Sequence, residues 1–257
     1  MGADKVRAKK YLGQHFLKDK RIAAAVADSL KAVNCDTVIE VGPGMGVLTQ
    51  FLVERHFPVL KVVEIDAEAV EYLKINVSGI GEIIKDDFLK LDLRPFGSRI
   101  AIIGNFPYNI SSQIFFRILE NRDAVTEVTC MVQKEVAERI CSAPGSRVYG
   151  ILSVLLKAWY DIEYLFTVSE KVFSPPPRVK SAVIHLERNK RERLDCDEEL
   201  FFSVVKRCFN QRRKMIRNPV KMMVRPDAGT MPLLSQRAEQ LSVEQFVELT
   251  NWVDGNR

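Results

Sequence analysis

The strongest constraint on the fold of this chain is the alternation of short apolar runs with amphipathic segments over its first two thirds. Apolar, β-branched runs, which are typical of strands buried on both faces, occupy residues 37–41, 59–65, 82–84, 100–104 and 128–132. Segments 67–76 and 111–119 carry apolar residues at helical spacing, with Ser111 as a candidate N-cap. Alternating strands and helices predict an α/β fold, in which helices cover both faces of a parallel sheet.

The remainder of the chain follows a different pattern. A helical segment at 151–159 precedes two more strand-like runs, 162–168 and 182–186, which we expect to pair at the sheet edge. Between these runs, Ser174-Pro175-Pro176-Pro177 cannot be helical and predicts a stiff extended loop. After about residue 187 the sequence is charged and helical, with a capping-box pattern from Ser242 to Gln245. We therefore expect an α/β domain over residues 1–187 and a small all-helical domain over residues 188–257.

Composition disfavours several classes of protein. No apolar run approaches the roughly 18 residues of a membrane span, and no signal-peptide pattern is present, so we expect a cytoplasmic protein without a membrane partner. The five cysteines include no C-x-x-C pair and the three histidines are far apart, so we expect no metal site. A monomer is the default expectation.

The net charge of +5 is modest, but the basic residues are concentrated in one segment. Residues 206–221 contain seven basic side chains and no acidic one: Lys206, Arg207, Arg212, Arg213, Lys214, Arg217 and Lys221. A segment of this kind predicts contact with a polyanion, most simply a nucleic acid. These seven side chains are therefore candidate RNA-binding residues.

A glycine-rich loop, Gly42-Pro43-Gly44-Met45-Gly46, follows the first predicted strand and precedes a helix. Glycines there allow a ligand to approach the backbone, and a helix N-terminus favours a negative group. A dinucleotide site requires G-x-G-x-x-G, whereas this chain has Val47 at the third glycine position, which disfavours a nicotinamide-dependent oxidoreductase. Gly42 and Gly44 are candidates for binding a ligand without a pyrophosphate.

Acidic residues follow the next two predicted strands. Glu64 lies 22 positions after Gly42, close to the roughly 20 expected for a carboxylate that accepts from ribose hydroxyls. The third strand ends in Asp86-Asp87-Phe88, where an acid is suited to accept from an adenine amino group and Phe88 to lie beside the ring. Three consecutive strand ends with these residues predict a nucleoside pocket at the carboxyl edge of the sheet.

The fourth strand ends in Asn105-Phe106-Pro107-Tyr108, the strongest candidate for chemistry. An adenine amino group is a poor nucleophile because its lone pair is delocalised into the ring. The Asn105 side-chain oxygen and the Phe106 carbonyl can accept from its two N–H bonds and localise that lone pair. Pro107 restricts the orientation of this carbonyl, and Tyr108 offers an aromatic face for a flipped base.

Together these motifs resemble those of the ribosomal RNA adenine dimethyltransferase family, most closely its bacterial KsgA-like branch. The matching stretches are Gly13-Gln14-His15-Phe16-Leu17, the GPGMG loop, Glu64-Ile65-Asp66, residues 105–111, residues 173–177 and residues 209–214. The resemblance covers nearly the whole chain. It implies a Rossmann-like class I S-adenosylmethionine-dependent methyltransferase sheet, followed by a small, all-helical, RNA-contacting domain.

The same resemblance implies the reaction and the partner. Two adjacent adenosines near the 3′ end of 16S rRNA would each be dimethylated at N6, with the precursor of the small ribosomal subunit as partner, late in 30S biogenesis. The implied cofactor site is lined by His15, Leu17, Gly42, Glu64, Asp87 and Asn105, with His15 standing where the family often has Asn. Phe173 is implied to pack on the target adenine opposite Tyr108, and its alternative is a core aromatic that anchors the proline loop.

Two other functions remain open at this point. An erythromycin-resistance methyltransferase has similar motifs but modifies 23S rRNA, and residues 209–214 favour the small-subunit interpretation over it. A non-catalytic RNA-binding assembly factor on the same fold is the alternative from another class. Intact Glu64, Asp87 and residues 105–108 argue against lost chemistry.

Overall fold

The computed structural model describes residues 6–257, which divide into two compact units. The first unit contains the residues up to 137 together with 162–188, and the second contains 138–161 together with 189–257. The strands are β1 Phe16–Leu17, β2 Thr37–Val41, β3 Leu60–Val63, β4 Glu82–Ile84, β5 Ile100–Asn105, β6 Val125–Gln133, β7 Tyr160–Val168, β8 Phe173–Ser174 and β9 Ser181–Arg188.

The α-helices are α1 Lys20–Asp28, α2 Thr49–Glu54, α3 Ala67–Asn76, α4 Ser111–Glu120, α5 Lys134–Cys141, α6 Ile151–Lys157, α7 Glu198–Asn210, α8 Arg217–Val220 and α9 Val243–Gly255. Short 3₁₀ turns occur at Lys10–Leu12, Arg94–Phe96, Glu170–Val172, Lys221–Met223, Pro232–Ser235 and Ala238–Gln240. Among the described helices, none combines the length and the apolar character needed to cross a membrane.

Within the described residues, seven strands form one mixed sheet in the order β4-β3-β2-β5-β6-β9-β7. The strands from β4 to β6 are parallel, and β9 runs antiparallel to β6. This arrangement confirms the predicted α/β class and the predicted pairing of the last two strands at one sheet edge. The short antiparallel pair β1–β8 was not predicted, because two-residue strands show no readable periodicity.

The central strands are covered on both faces. All five residues of β2 are buried, and since successive side chains of a strand point to opposite faces, both faces must be covered. On one face, Val38 and Ile103 belong to a core cluster that includes Ala23 of α1 and Leu52 of α2. The apolar runs of the sequence thus correspond to strands buried in the middle of the sheet.

Two helix starts test the capping predictions. At α9 the capping box is confirmed, because the Ser242 hydroxyl accepts from the Gln245 N–H at 3.2 Å and the Gln245 side chain accepts from the Ser242 N–H at 2.9 Å. At α4 the prediction is wrong, since Ile110 is the N-cap and Ser111 is the first helical residue. The Ser111 hydroxyl donates back to the carbonyl of Tyr108 at 3.4 Å instead of accepting from the helix.

The second unit is built mainly from helices α6, α7 and α9, which pack on one another. Trp159 lies edge-on to Phe201 at 6.1 Å, and Phe209 stacks on Phe246 at 5.9 Å, both measured between ring centroids. Segment 138–161 belongs to this unit, although the predicted boundary assigned it to the first domain. The difference arises because the apolar side of α6 packs on helices from the C-terminal part of the chain, a partner that local sequence does not reveal.

Candidate active site

A partly enclosed cavity lies in the first unit, where the carboxyl ends of β2, β3 and β5 meet. The cavity is lined by residues 12–17, Glu40, Gly42, Pro43, Gly44, Met45, Val47, Leu48, Glu64, Ile65, Asn105, Pro107 and Tyr108. Parallel strands with a shared register bring these distant residues to one edge of the sheet.

The glycine loop follows β2 and forms one wall of the cavity. Gly42, Gly44 and Gly46 have φ values of +68°, +56° and +73°, a region that favours glycine. A Cβ atom at Gly44 would lie 2.8 Å from two ring carbons of Phe16, so this backbone approaches the N-terminal segment closely. The predicted role of Gly42 and Gly44 is therefore compatible with their position.

Glu64 lies directly after β3 and is almost fully buried, with 4% of its surface exposed. One carboxylate oxygen accepts from the Gly44 N–H at 3.1 Å, and the other accepts from the Asp66 N–H at 2.9 Å. Burial raises the pKa of this carboxyl above its ordinary value, while the backbone donors oppose the rise. Glu64 thus holds the glycine loop and also lines the cavity.

Glu40, the last residue but one of β2, was not predicted as a site residue. It lines the cavity, is 1% exposed, and its Oε2 atom has no hydrogen-bond partner among the described residues. Burial raises the pKa of Glu40 to about 8, and the charge of Glu64 adds to the rise. Its position two residues before the glycine loop marks Glu40 as a possible site residue in the sequence. Its burial, however, depends on neighbouring strands.

Asn105 ends β5 and lines the cavity. Its side-chain amide donates to the carbonyl of His15 at 2.9 Å. Its side-chain oxygen is buried and has no partner among the described residues. A buried acceptor without a donor costs about 1–3 kcal/mol, so this oxygen is suited to a ligand that brings an N–H group.

His15 connects three parts of the site. Its ring stacks on Tyr108 with centroids 5.3 Å apart and an interplanar angle of 30°. Its Nδ1 atom lies 2.7 Å from the carbonyl oxygen of Pro175, in the proline loop. Tyr108 is half-buried, and its hydroxyl forms a hydrogen bond with that of Ser181. Burial raises the pKa of the Tyr108 phenol. One face of the Tyr108 ring is therefore occupied by His15.

The N-terminal segment forms the wall opposite the glycine loop. Leu17 is buried and lines the cavity, as the resemblance implied. Gln14, which was not predicted, donates to the Asp66 carboxylate at 3.1 Å and accepts from the Lys9 N–H at 2.8 Å. The Lys9 ammonium also binds Asp66, at 2.5 Å. These contacts attach the segment to the turn after β3.

Within the catalytic tetrapeptide, Phe106 and Pro107 have different surroundings. The Phe106 ring is fully buried and lies edge-on to Phe115 with centroids 5.8 Å apart, while its N–H donates to the Met131 carbonyl at 3.0 Å. Pro107 lines the cavity, and its carbonyl accepts from the Ile110 N–H at 3.1 Å. The backbone of the tetrapeptide is thus fixed on both sides.

Four predicted site residues are not part of the cavity wall, and the buried Phe106 is one of them. Phe173 is 1% exposed and belongs to the core cluster beside Leu17, its partner in the β1–β8 pair, so it has the position of a core aromatic that anchors the proline loop. Phe88 is also buried, with 4% exposed. The Asp87 carboxylate accepts from the Leu89 N–H at 3.0 Å, within a tight turn. The predicted contacts of Asp87 and Phe88 with the cofactor and of Phe173 with the target adenine stay predictions.

The basic segment lies in the second unit, and its members differ in their contacts. Arg207 donates to the Pro219 carbonyl at 2.9 Å. Arg212 donates to the Arg147 carbonyl and lies 3.6 Å from the Glu239 carboxylate. In contrast, four cations are exposed and form no ion pair with a described residue: Arg213, Lys214, Arg217 and Lys221. Lys206 is exposed on α7. Arg207 and Arg212 thus have partners within the unit, whereas the side chains of the four are accessible to an anion.

Residues 6–257 contain no group of three or more His, Cys, Asp or Glu side chains with suitable geometry for a metal ion. The cysteines of this part form no disulfide bond.

Comparison with known proteins identifies the family. A model of the family described as ribosomal RNA adenine dimethylase matches residues 5–255. The chain belongs to this family. The ribosomal RNA small subunit methyltransferase A of Parabacteroides distasonis is 57% identical over 249 residues, which are 95% of this chain and 93% of that protein. The protein of the same name from Flavobacterium johnsoniae is 54% identical over 258 residues, 98% of each chain.

Solved structures support the fold of this dimethylase family member. A dimethyladenosine transferase from Plasmodium falciparum has a TM-score of 0.76 at 22% identity, covering 91% of this chain and 96% of that one. The 23S rRNA methyltransferase ErmE has a TM-score of 0.67 at 26% identity, covering 93% and 99%. The family resemblance and the Rossmann-like methyltransferase fold predicted from the sequence are both confirmed.

The buried Glu40 generates a prediction about pH. Because the folded pKa of about 8 lies above the ordinary value of 4.5, the folded cofactor-free protein retains a proton that the unfolded chain loses. Stability should therefore fall as the pH rises from about 5 to 8, with a slope of up to about 1.4 kcal/mol per pH unit. In Glu40→Gln this fall should be smaller, as measured by urea unfolding at both ends of this pH range.

The matched control is Glu54→Gln, which neutralises an exposed carboxylate on α2. It should keep the pH dependence of the wild type. An equal fall in stability for Glu40→Gln and the wild type would mean that Glu40 is ionised in the folded protein.

Proposed function

We propose that this protein transfers methyl groups from S-adenosylmethionine to the N6 amino groups of two adjacent adenosines near the 3′ end of 16S rRNA, late in 30S biogenesis. The single observation that carries the proposal is the side-chain oxygen of Asn105, a buried acceptor without a partner in a residue that lines the cavity. Its amide donor is already bound to His15, so the oxygen remains for an incoming N–H. An adenine amino group supplies that N–H.

The residues of the cavity fit S-adenosylmethionine. This cofactor combines a nucleoside, whose ribose hydroxyls are donors, with a positively charged sulfonium and a zwitterionic amino-acid end. The cavity offers two buried carboxyls, Glu64 and Glu40, and Glu40 has an oxygen without a partner. The glycine loop exposes backbone where a side chain would exclude a ligand. We assign ribose binding to Glu64, and further cofactor contacts to Gly42, Gly44, His15, Leu17 and Asn105. When bound, the cofactor supplies an activated methyl group.

The chemistry left to the chain is orientation of the nucleophile. The Asn105 oxygen and the Phe106 carbonyl accept from the adenine amino group, which localises its lone pair and aims it at the methyl group. Pro107 after Phe106 restricts the orientation of that carbonyl. Tyr108 presents the ring face that His15 leaves open, and the flipped base stacks there. After the first methylation one N–H remains, so one acceptor is sufficient to orient the second transfer.

The choice of RNA rests on the relatives. Proteins 50–57% identical over nearly the full chain carry the name ribosomal RNA small subunit methyltransferase A. ErmE, which represents the 23S rRNA alternative, is 26% identical. The small subunit is therefore the favoured target. An unpaired buried acceptor in the tetrapeptide also favours an enzyme over a non-catalytic assembly factor. The monomeric state and the cytoplasmic location stay predictions.

A first experiment tests the cofactor assignment. Glu64→Ala removes acceptors for the ribose hydroxyls, each charge-assisted bond being worth about 1.5–3 kcal/mol, so S-adenosylmethionine affinity should fall by roughly 10- to 100-fold. Isothermal titration calorimetry measures the affinity, and circular dichroism checks the fold. Glu71→Ala, which removes an exposed carboxylate on α3, is the control. Unchanged affinity in folded Glu64→Ala would exclude Glu64 from the ribose site.

A second experiment tests the chemistry. Asn105→Ala should slow single-turnover methylation of under-methylated 30S subunits by roughly 100- to 1,000-fold at saturating cofactor, the usual cost of losing one preorganised hydrogen-bond group. Tyr108→Ala should lose about 5- to 100-fold because stacking is worth about 1–3 kcal/mol, whereas Tyr108→Phe should keep most activity. Labelled methyl groups mapped to single nucleotides give the readout.

Ser181→Ala is the matched control, since it removes the same hydrogen bond as Tyr108→Phe without changing the ring. Near-normal turnover by folded Asn105→Ala would refute the mechanism. If Tyr108→Phe is as inactive as Tyr108→Ala, the hydroxyl has a role beyond stacking.

A third experiment tests the basic segment. The double variant Arg213→Ala/Lys214→Ala removes two exposed cations. The slope of log K against log[salt] for 30S binding should therefore become shallower by roughly one to two. Cofactor affinity should not change. The control is Lys190→Ala/Arg193→Ala, two exposed cations of the same unit outside the segment. If both double variants show the wild-type slope, residues 213 and 214 contact no phosphate.

A further inference from the structure

A cleft in the second unit shares no lining residue with the cavity of the active site. It is formed by α8, the loop that follows it as far as residue 235, and Trp252 of α9. Three of its lining residues are cations, Arg217, Lys221 and Arg225, and all three are exposed. No described acidic residue lines the cleft, and these cations form no ion pair with any described residue. The cleft is therefore suited to an anion.

The same cleft exposes apolar and aromatic surface. Trp252 is half-buried, and Met222 is 78% exposed, although both are apolar residues that water solvates poorly. Leu234 lines the cleft with them. Cations beside a partly exposed indole ring are the combination that binds unpaired nucleotides, since a base stacks on the aromatic face and its phosphates contact the cations.

Backbone hydrogen bonds fix the cleft at both ends of its loop. The Arg225 N–H donates to the Asn256 carbonyl at 2.8 Å, next to the end of α9. The Ile216 N–H donates to the Gln236 carbonyl, also at 2.8 Å, which closes the base of the loop. The cleft thus exists before any ligand binds, and little conformational entropy is lost on binding.

We propose that this cleft binds an unpaired RNA segment, with one base stacked on Trp252 and the flanking phosphates held by Arg217, Lys221 and Arg225. The occupant is RNA because three cations and no acidic residue line the cleft, and because the target of the proposed function, on which this inference rests, is an RNA. The segment is unpaired because bases within a duplex do not expose a face for stacking. The cleft would then supply a second contact with the ribosomal RNA, separate from the adenine that is methylated.

Intrinsic fluorescence of the full-length protein tests this proposal. The chain contains two tryptophans, and Trp159 is fully buried, so a change in emission on adding RNA reports on Trp252. A single-stranded uridine hexamer should quench the emission saturably. Inorganic polyphosphate of equal charge should compete for the cations without quenching.

Variants are compared by the anisotropy of a labelled hexamer. Trp252→Leu should weaken binding by roughly 5- to 100-fold, and Trp252→Phe, which keeps a stacking face, should retain most of the affinity. Arg217→Ala/Lys221→Ala should reduce the salt slope by about 1.4, since each single-strand phosphate contact contributes about 0.7. Arg193 is an exposed cation of the same unit outside the cleft, so Arg193→Ala should leave the hexamer affinity and the salt slope unchanged.

Several results would overturn the proposal: no quenching by the hexamer, equal affinity of folded Trp252→Leu and wild type, or equal quenching by polyphosphate or an acidic peptide. Equal quenching by the acidic peptide would indicate a protein partner. Hexamer binding needs no methyl transfer, so Asn105→Ala should bind it normally. If the wild-type protein binds the hexamer but does not methylate 30S subunits, the result counts against the proposed function alone.

Discussion

The hydrogen bond from the Asn105 amide to the carbonyl of His15 links the end of strand β5 to the N-terminal segment, and the rest of the site depends on it. The bond occupies the donor of the amide and therefore determines which atom remains without a partner. The His15 ring, in turn, packs on Tyr108 and approaches the Pro175 carbonyl. One residue of the N-terminal segment thus positions the acceptor, the aromatic ring and the proline loop together.

Burial of two carboxyls beside the cavity carries a desolvation cost. Glu40 and Glu64 lie at the carboxyl ends of neighbouring parallel strands, and burial raises the pKa of both. Glu64 is compensated by two backbone donors, whereas Glu40 has an oxygen without a partner among the described residues. A ligand that donates to these oxygens offsets part of this cost, so the same groups favour ligand binding.

The sequence predicted those parts of the molecule that depend on local pattern. The bounds of β2 and α3 were predicted to the residue, and Glu64 and Asn105 were placed by their positions at strand ends. The family and the fold class followed from the motifs taken together. These features are encoded by neighbours along the chain, so periodicity and spacing reveal them.

The remaining features depend on contacts between distant residues. Glu40 becomes a cavity residue only because strands on both sides bury it. Phe173 is positioned by the β1–β8 pair, and the Asp87 carboxylate is bound within a tight turn. Arg212 appeared to be one of seven equivalent cations, yet carbonyls and a carboxylate of the folded unit hold it. Segment 138–161 joins the second unit for a similar reason.

The sequence separation of the His15 contacts has a consequence for the newly synthesised chain. His15 receives its hydrogen bond from a residue 90 positions later and approaches a carbonyl 160 positions later. The glycine loop and the first carboxyl can fold near the start of synthesis, but the wall that faces them is not fixed until the proline loop has left the ribosome. Contacts over such separations form slowly, since a long loop must close first. The cavity is thus completed only after about two thirds of the chain has emerged, and shorter nascent chains cannot bind the cofactor in its final geometry.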